Sequence, residues 1–112
     1  MASKFHVQLT MRESPGEAQA RAATALTEPA RSVGLRLTNR GAGTLEFKPR
    51  VQFPFVLMLY HTLSGEKMSV SFTPADDGGT SVSIDGTVGG GSLPLASDPE
   101  HWSGPLGATV VG

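Results

Sequence analysis

The chain has 112 residues, a formal net charge of −1 and no cysteine. This length favours a single domain with one core, which we predict for residues 1–112. The missing cysteines exclude disulfides, zinc–thiolate sites and thiol nucleophiles, and they are typical of a reducing compartment, so we expect a cytoplasmic protein. The near-neutral charge disfavours general nucleic-acid binding. No apolar run approaches the ~18 residues that a membrane span needs, so no span is expected.

The first predicted element is a strand over residues 4–11, KFHVQLTM, where polar and apolar residues alternate with the period of a half-buried strand. A helix follows it. Ser14 stands at a plausible N-cap, Pro15 at the first helical position, and Glu17 completes a capping box. Pro29 predicts that this helix ends or kinks by residue 28. Its many alanines suit close packing against a sheet.

Two hairpins are predicted next, over residues 35–48 and 67–85. Each strand in them alternates apolar with polar residues, and the turns contain Asn, Asp, Pro and Gly. This pattern is typical of an antiparallel sheet with one covered and one exposed face. The sequence therefore predicts an α+β fold, with an antiparallel sheet of about five strands and one main helix packed on one face.

An apolar band, VQFPFVLMLYHTLSGE, joins the two hairpins. A second short helix at 54–63 fits Pro54 at its first position and Gly65 just past its end. A strand that is apolar on both faces is the alternative, because periodicity alone does not separate the two for a short apolar run. Beyond it, residues 89–112 are rich in glycine and proline and predict a loosely ordered tail, with one helical turn from Pro99 that stops near Gly104.

The sequence contains no nucleophile-elbow, P-loop or dinucleotide-binding pattern. Its histidines, His6, His61 and His101, lack the spacing of metal ligands, and we expect neither a metal nor a cofactor. His6 falls on the polar face of the first strand, where a solvated surface histidine is the ordinary interpretation. An enzyme in which His61 and His101 meet as an acid–base pair is a further hypothesis, and the less favoured one.

The sequence contains more large apolar side chains than are required to form a core between an alanine-rich helix and one face of a sheet. A concave apolar pocket with one or two polar groups is the usual form of a small-molecule site. The favoured function is therefore non-enzymatic binding of a small apolar ligand, and the alternative is a homodimer or protein interface that uses the same band. The predicted ligand-binding residues are Phe53, Phe55, Met58, Tyr60, His61 and Trp102.

Two short motifs resemble those of START/Bet v 1-like helix-grip proteins. One is the helix opening SPGEA at residues 14–18, and the other is the strand GGTSVSI at residues 78–84, which is similar to a strand of the polyketide-cyclase-like members. The resemblance implies a curved antiparallel sheet that encloses a cavity for a hydrophobic ligand. That fold closes its cavity with a long C-terminal helix, whereas the tail of this chain is short, glycine-rich and interrupted by Pro94, Pro99 and Pro105.

Overall fold

The computed structural model describes residues 2–49 and 65–111, so the choice between helix and strand at 54–63 lies outside the described residues. Within those ranges the chain is an α+β fold with a six-stranded antiparallel sheet and four helices. The elements in chain order are β1 (Ala2–Met11), α1 (Pro15–Ala25), α2 (Thr27–Ser32), β2 (Leu35–Gly41), β3 (Thr44–Pro49), β4 (Lys67–Pro74), β5 (Thr80–Gly89), α3 (Leu93–Ala96), α4 (Pro99–Leu106) and β6 (Thr109–Val110).

The strands follow the order β2-β3-β4-β5-β1-β6 in the sheet. The two predicted hairpins are present and lie side by side, and β1 pairs with β5 along its whole length. The sixth strand, β6, is only two residues long and pairs with Leu9 and Thr10. A strand this short shows no alternation, which is why the sequence pattern predicts about five strands.

The first helix begins where the sequence predicts, with Ser14 as an extended N-cap and Pro15 after it. The Ser14 side chain makes no capping bond, so the predicted capping box does not form. The chain bends at Leu26, and α2 then runs through Pro29. Pro29 is tolerated there because it lies in the first turn of α2, where backbone N–H groups have no partner within the helix.

The core lies between the helices and one face of the sheet. Ala18 and Ala22 of α1 are fully buried, and these small side chains let the helix approach the strands closely. The apolar positions of every long strand point to the same side, as the alternation predicts. They contribute Val7, Leu9, Leu35, Leu45, Val70, Val82 and Ile84 to one hydrophobic cluster.

The C-terminal segment differs from the predicted loosely ordered tail, because residues 93–106 form α3 and α4. Asp98 caps α4 by accepting a hydrogen bond from the Glu100 N–H at 3.1 Å, and the helix continues past Gly104 to Leu106. Trp102 and Leu106, one turn apart on α4, are fully buried. Their burial stabilises the short helix, and that gain depends on a sheet surface that local composition does not reveal.

An aromatic stack joins the two ends of the chain. The rings of Phe5 and Trp102 lie parallel, with an interplanar angle of 3° and centroids 6.2 Å apart. Phe5 stands opposite Gly86 in the β1–β5 ladder. A Cβ atom at Gly86 would lie 2.6 Å from Phe5 Cε1 and 2.7 Å from the Lys67 carbonyl oxygen. The missing side chain at residue 86 therefore provides the space that the Phe5 ring occupies.

We predict that Gly86→Ala lowers the free energy of unfolding by about 1–3 kcal/mol, because the added methyl group overpacks the Phe5 ring. Urea denaturation would measure this change. The matched control is Gly16→Ala in α1, where an added Cβ meets no atom within 4 Å. Alanine should stabilise that helical position by about 0.5–1 kcal/mol. Equal effects at the two glycines would contradict the packing argument.

A single glutamine side chain attaches the first hairpin to α1. Gln19 Nε2 donates to the carbonyl oxygens of Gly41 at 2.8 Å and Thr44 at 3.1 Å. Gln19 Oε1 accepts from the Gly43 N–H at 3.1 Å. Gly43 has a φ of 75°, which a residue with a side chain rarely adopts. The three bonds fix the β2–β3 turn against the helix.

We expect Gln19→Ala to cost about 1–3 kcal/mol of unfolding free energy, since it leaves backbone groups of the turn without their partner. Thr24→Ala, at an exposed position of the same helix, is the control and should change stability by less than about 0.5 kcal/mol. Chemical denaturation of both variants tests the difference. A Gln19→Ala protein as stable as the control would show that water replaces the side-chain amide without loss.

Candidate functional site

A concavity formed by described residues has a volume of about 950 Å³ and crosses four neighbouring strands. Each strand contributes three consecutive residues to it, as in Lys4-Phe5-His6 of β1. We call it the open-face groove. Its described lining is Lys4, Phe5 and His6 of β1, Glu46, Phe47 and Lys48 of β3, Lys67, Met68 and Ser69 of β4, and Asp85, Gly86 and Thr87 of β5.

The lining pattern places the groove on the face of the sheet away from the helices. The middle residues Phe5, Phe47 and Met68 are only 6%, 1% and 1% exposed, because their side chains enter the core. Successive side chains of a strand point to opposite faces, so the outer residues of each triplet project from the open face. The groove therefore has polar side chains as walls and main chain, including that of Gly86, as its floor.

Strand register arranges the walls in two rows. Thr87 stands between Lys4 and Lys67 in the ladders, and Lys48 occupies the next position beside Lys67, because its neighbour Phe47 pairs with Met68. We call these four residues the lysine row. Adjacent strands lie ~4.8 Å apart, so the backbones of Lys4 and Lys67 are separated by about 10 Å.

The second row runs parallel to the first, two residues further along each strand. Asp85 stands between His6 and Ser69, and Ser69 stands opposite Glu46. We call these four residues the acidic row. Two residues of a strand span about 7 Å, so the rows are close enough for one small molecule to contact both.

The two rows differ in how their charges are satisfied. His6 Nδ1 lies 2.5 Å from Asp85 Oδ1, although the side chains are 56% and 61% exposed. Lys4, Lys48 and Lys67 are exposed and form no ion pair with any residue in the described ranges. The lysine row thus presents three ammonium groups and the Thr87 hydroxyl, all of which donate hydrogen bonds.

This arrangement can bind an anion through the hydrogen-bond donors of the lysine row. A carboxylate that holds an imidazole can prepare it as a general base. In the described part of the chain, however, no hydroxyl group is hydrogen-bonded to the remaining ring nitrogen of His6. The same residues contain no cluster of three or more His, Cys, Asp or Glu side chains that could hold a metal ion.

Of the six ligand-binding residues that the sequence predicts, five lie outside the described residues: Phe53, Phe55, Met58, Tyr60 and His61. The sixth, Trp102, is fully buried beneath the sheet and does not line the groove. Its indole N–H donates to the Ala96 carbonyl oxygen at 2.7 Å. His101 also faces the helix layer, with Nε2 2.9 Å from the Pro29 carbonyl oxygen.

The sequence pattern does not identify the lysine row. It places Lys4, Lys48 and Lys67 on polar faces of separate predicted strands, where each resembles an ordinary solvated side chain. Their proximity follows from register between strands that are distant in the chain, such as Lys4 with Thr87. The signal that could have pointed to them is position, since Lys4 and Lys67 lie near the start of their strands and Lys48 near the end of its strand, which is the same end of an antiparallel sheet.

No family model and no curated protein matches this sequence. In the described ranges, none of the helices has the length and apolar character that crossing a membrane requires. The geometry of the open-face groove is therefore the basis for any assignment of function.

Proposed function

We propose that this protein is a non-enzymatic module that binds a small organic ligand bearing an anionic group, and that the lysine row of the open-face groove recognises the anion. The single observation that carries this proposal is the row itself. Lys48 stands beside Lys67, and Thr87 lies between Lys67 and Lys4, and the three lysines form no ion pair with a described residue. Three neighbouring ammonium groups repel one another, and an anion relieves that repulsion.

The size of the groove supports a small molecule as the ligand. Its volume of about 950 Å³ is at the upper end of the ~300–1,000 Å³ found for small-molecule sites. The aliphatic stems of Lys48 and Lys67 offer apolar surface beside their charged ends. A short chain with a terminal carboxylate or phosphate matches this combination.

The exposure of the lysines limits the affinity that each can supply. An exposed ion pair contributes only about 0.2–1 kcal/mol, so recognition requires several lysines at once. This requirement separates the lysine row from an isolated surface lysine. The small apolar ligand predicted from the sequence is here given an anionic group, because the described groove presents three lysines.

Several sequence predictions remain predictions within this proposal. The apolar band at 53–60 as a ligand wall, the cytoplasmic location and the START/Bet v 1-like resemblance are among them. The described terminal helix, Pro99–Leu106, has eight residues and is shorter than the long closing helix that the resemblance implies. A ligand held on the open face of the sheet does not require such a helix.

We predict that octanoate, but not the neutral analogue octanol, shifts the backbone amide NMR signals of Lys4, Lys67 and Thr87. Lys48→Ala/Lys67→Ala should weaken octanoate binding about tenfold, which corresponds to two exposed ion pairs. Native mass spectrometry of freshly purified protein provides a second measurement. A natural anionic ligand would appear there as an adduct that is lost on denaturation.

The control is Arg12→Ala/Arg31→Ala, which also removes two positive charges, but from exposed positions outside the groove. It should bind octanoate as the unaltered protein does. Equal responses to octanoate and octanol would exclude recognition of the anion. Equal losses in the two double variants would show a general charge effect and contradict a site at the lysine row.

A further inference from the structure

Strand β1 has an open edge in the described structure. It pairs with β5 from Ala2 to Met11, whereas on its other side β6 covers only Leu9 and Thr10. Residues 2–7 therefore border no described strand on that side. Unpaired main-chain groups along a strand are a template for pairing with another strand.

The hydrogen-bonding direction along this edge can be read from its covered end. The Val111 N–H donates to the Gln8 carbonyl oxygen at 3.1 Å, so the main-chain groups of Gln8 point away from β5. Alternate residues of a strand point their N–H and C=O groups the same way. Lys4 and His6 accordingly direct theirs toward the open edge, while Phe5 and Val7 bond to β5.

The opposite edge of the sheet, β2, is irregular in a way that β1 is not. Its ladder shifts register between Leu37 and Asn39, and Arg36 and Arg40 stand exposed along it. Bulges and charged side chains are common means of preventing edge-to-edge pairing. The β1–β5 ladder runs without a register shift over ten residues, so β1 stays straight enough to accept a partner strand.

Apolar exposure is concentrated at the same margin of the sheet. The large hydrophobic side chains exposed in the described chain are Leu95 at 40%, Val110 at 37% and Val111 at 51%. Leu95 belongs to α3, which contacts β1. Val110 is the last residue of β6, the short strand that pairs with β1, and Val111 follows it. Exposed apolar residues grouped at one margin are typical of a contact surface.

We propose that a second copy of this chain adds its own β1 antiparallel to this edge, which joins the two sheets into one. The two-fold axis passes at Phe5, so that Lys4 of each copy stands opposite His6 of the other. This register forms about four main-chain hydrogen bonds between the copies, because both residues present their N–H and C=O groups to the edge.

Other registers are disfavoured by charge or by occupied groups. If the two-fold axis passed at Lys4, the Lys4 residues of the two copies would stand directly opposite each other, which is destabilising. If the axis passed at His6, Lys4 would pair with Gln8, whose carbonyl oxygen already accepts a hydrogen bond from the Val111 N–H. The Phe5-centred register keeps the lysines apart and forms its hydrogen bonds through Lys4 and His6, so that only Ala2, at the end of the ladder, comes opposite Gln8.

The Phe5-centred register also matches opposite charges. On the open face the acidic row of one copy, which ends at His6, continues directly into the lysine row of the second copy, which begins at Lys4. Lys4 of the second copy then lies beside the His6–Asp85 pair of the first. Charge complementarity of this kind selects register and orientation between two strands.

Sedimentation velocity across a concentration series tests the proposal, and we expect the unaltered protein to be a reversible dimer. Lys4→Glu replaces the ammonium group that faces the His6–Asp85 pair of the second copy with a carboxylate, and the loss of this attraction at both ends of the ladder should raise the dimer dissociation constant about tenfold. The matched control is Lys67→Glu. Lys67 faces the same side of the sheet, but two strands from the edge, and its reversal should leave the dimer intact.

A second variant, His6→Pro, removes the N–H group that points to the open edge without removing a bond to β5. It should also dissociate the dimer while circular dichroism and thermal unfolding show a folded chain. A monomer at every concentration would overturn the proposal, as would a dimer that survives both Lys4→Glu and His6→Pro. Equal weakening by Lys4→Glu and Lys67→Glu would likewise assign the interface to another surface.

Discussion

The packing of Phe5 between Gly86 and Trp102 is the contact on which most of the described structure depends. It fixes the N-terminal strand against β5 and gives α4 a flat aromatic surface to cover. Because Phe5 enters the core, its neighbours Lys4 and His6 must project from the opposite face. The position of one aromatic ring therefore determines both the composition of the open-face groove and the side chains along the β1 edge.

Strand β1 serves two proposed surfaces at once. Its side chains on the open face contribute to the groove, and its outward main-chain groups form the edge. A ligand at the lysine row and a second copy at the edge would share Lys4, which stands at the boundary between them. The two surfaces are nevertheless separable, because Lys48 and Lys67 lie within the groove and away from the edge.

The charge distribution along the chain is reorganised by the strand order. Residues 1–50 carry eight Lys and Arg against four Asp and Glu, and residues 51–112 carry one against six. In the sheet, β4 and β5 lie between β3 and β1, so basic and acidic segments alternate in space. As a result, the basic residues of the first half of the chain do not form a separate basic region of the sheet. Lysines and carboxylates instead lie in neighbouring rows.

Local periodicity determined the α+β class, the two hairpins and the start of α1 at Pro15, because alternation and capping depend on near neighbours. Tertiary structure decided the rest. Trp102 and Leu106 are buried only because a sheet surface is available to α4, and β6 exists only because β1 offers it an edge. The lysine row also required the fold, since register between distant strands, rather than spacing along the chain, brings Lys4 and Lys67 to either side of Thr87.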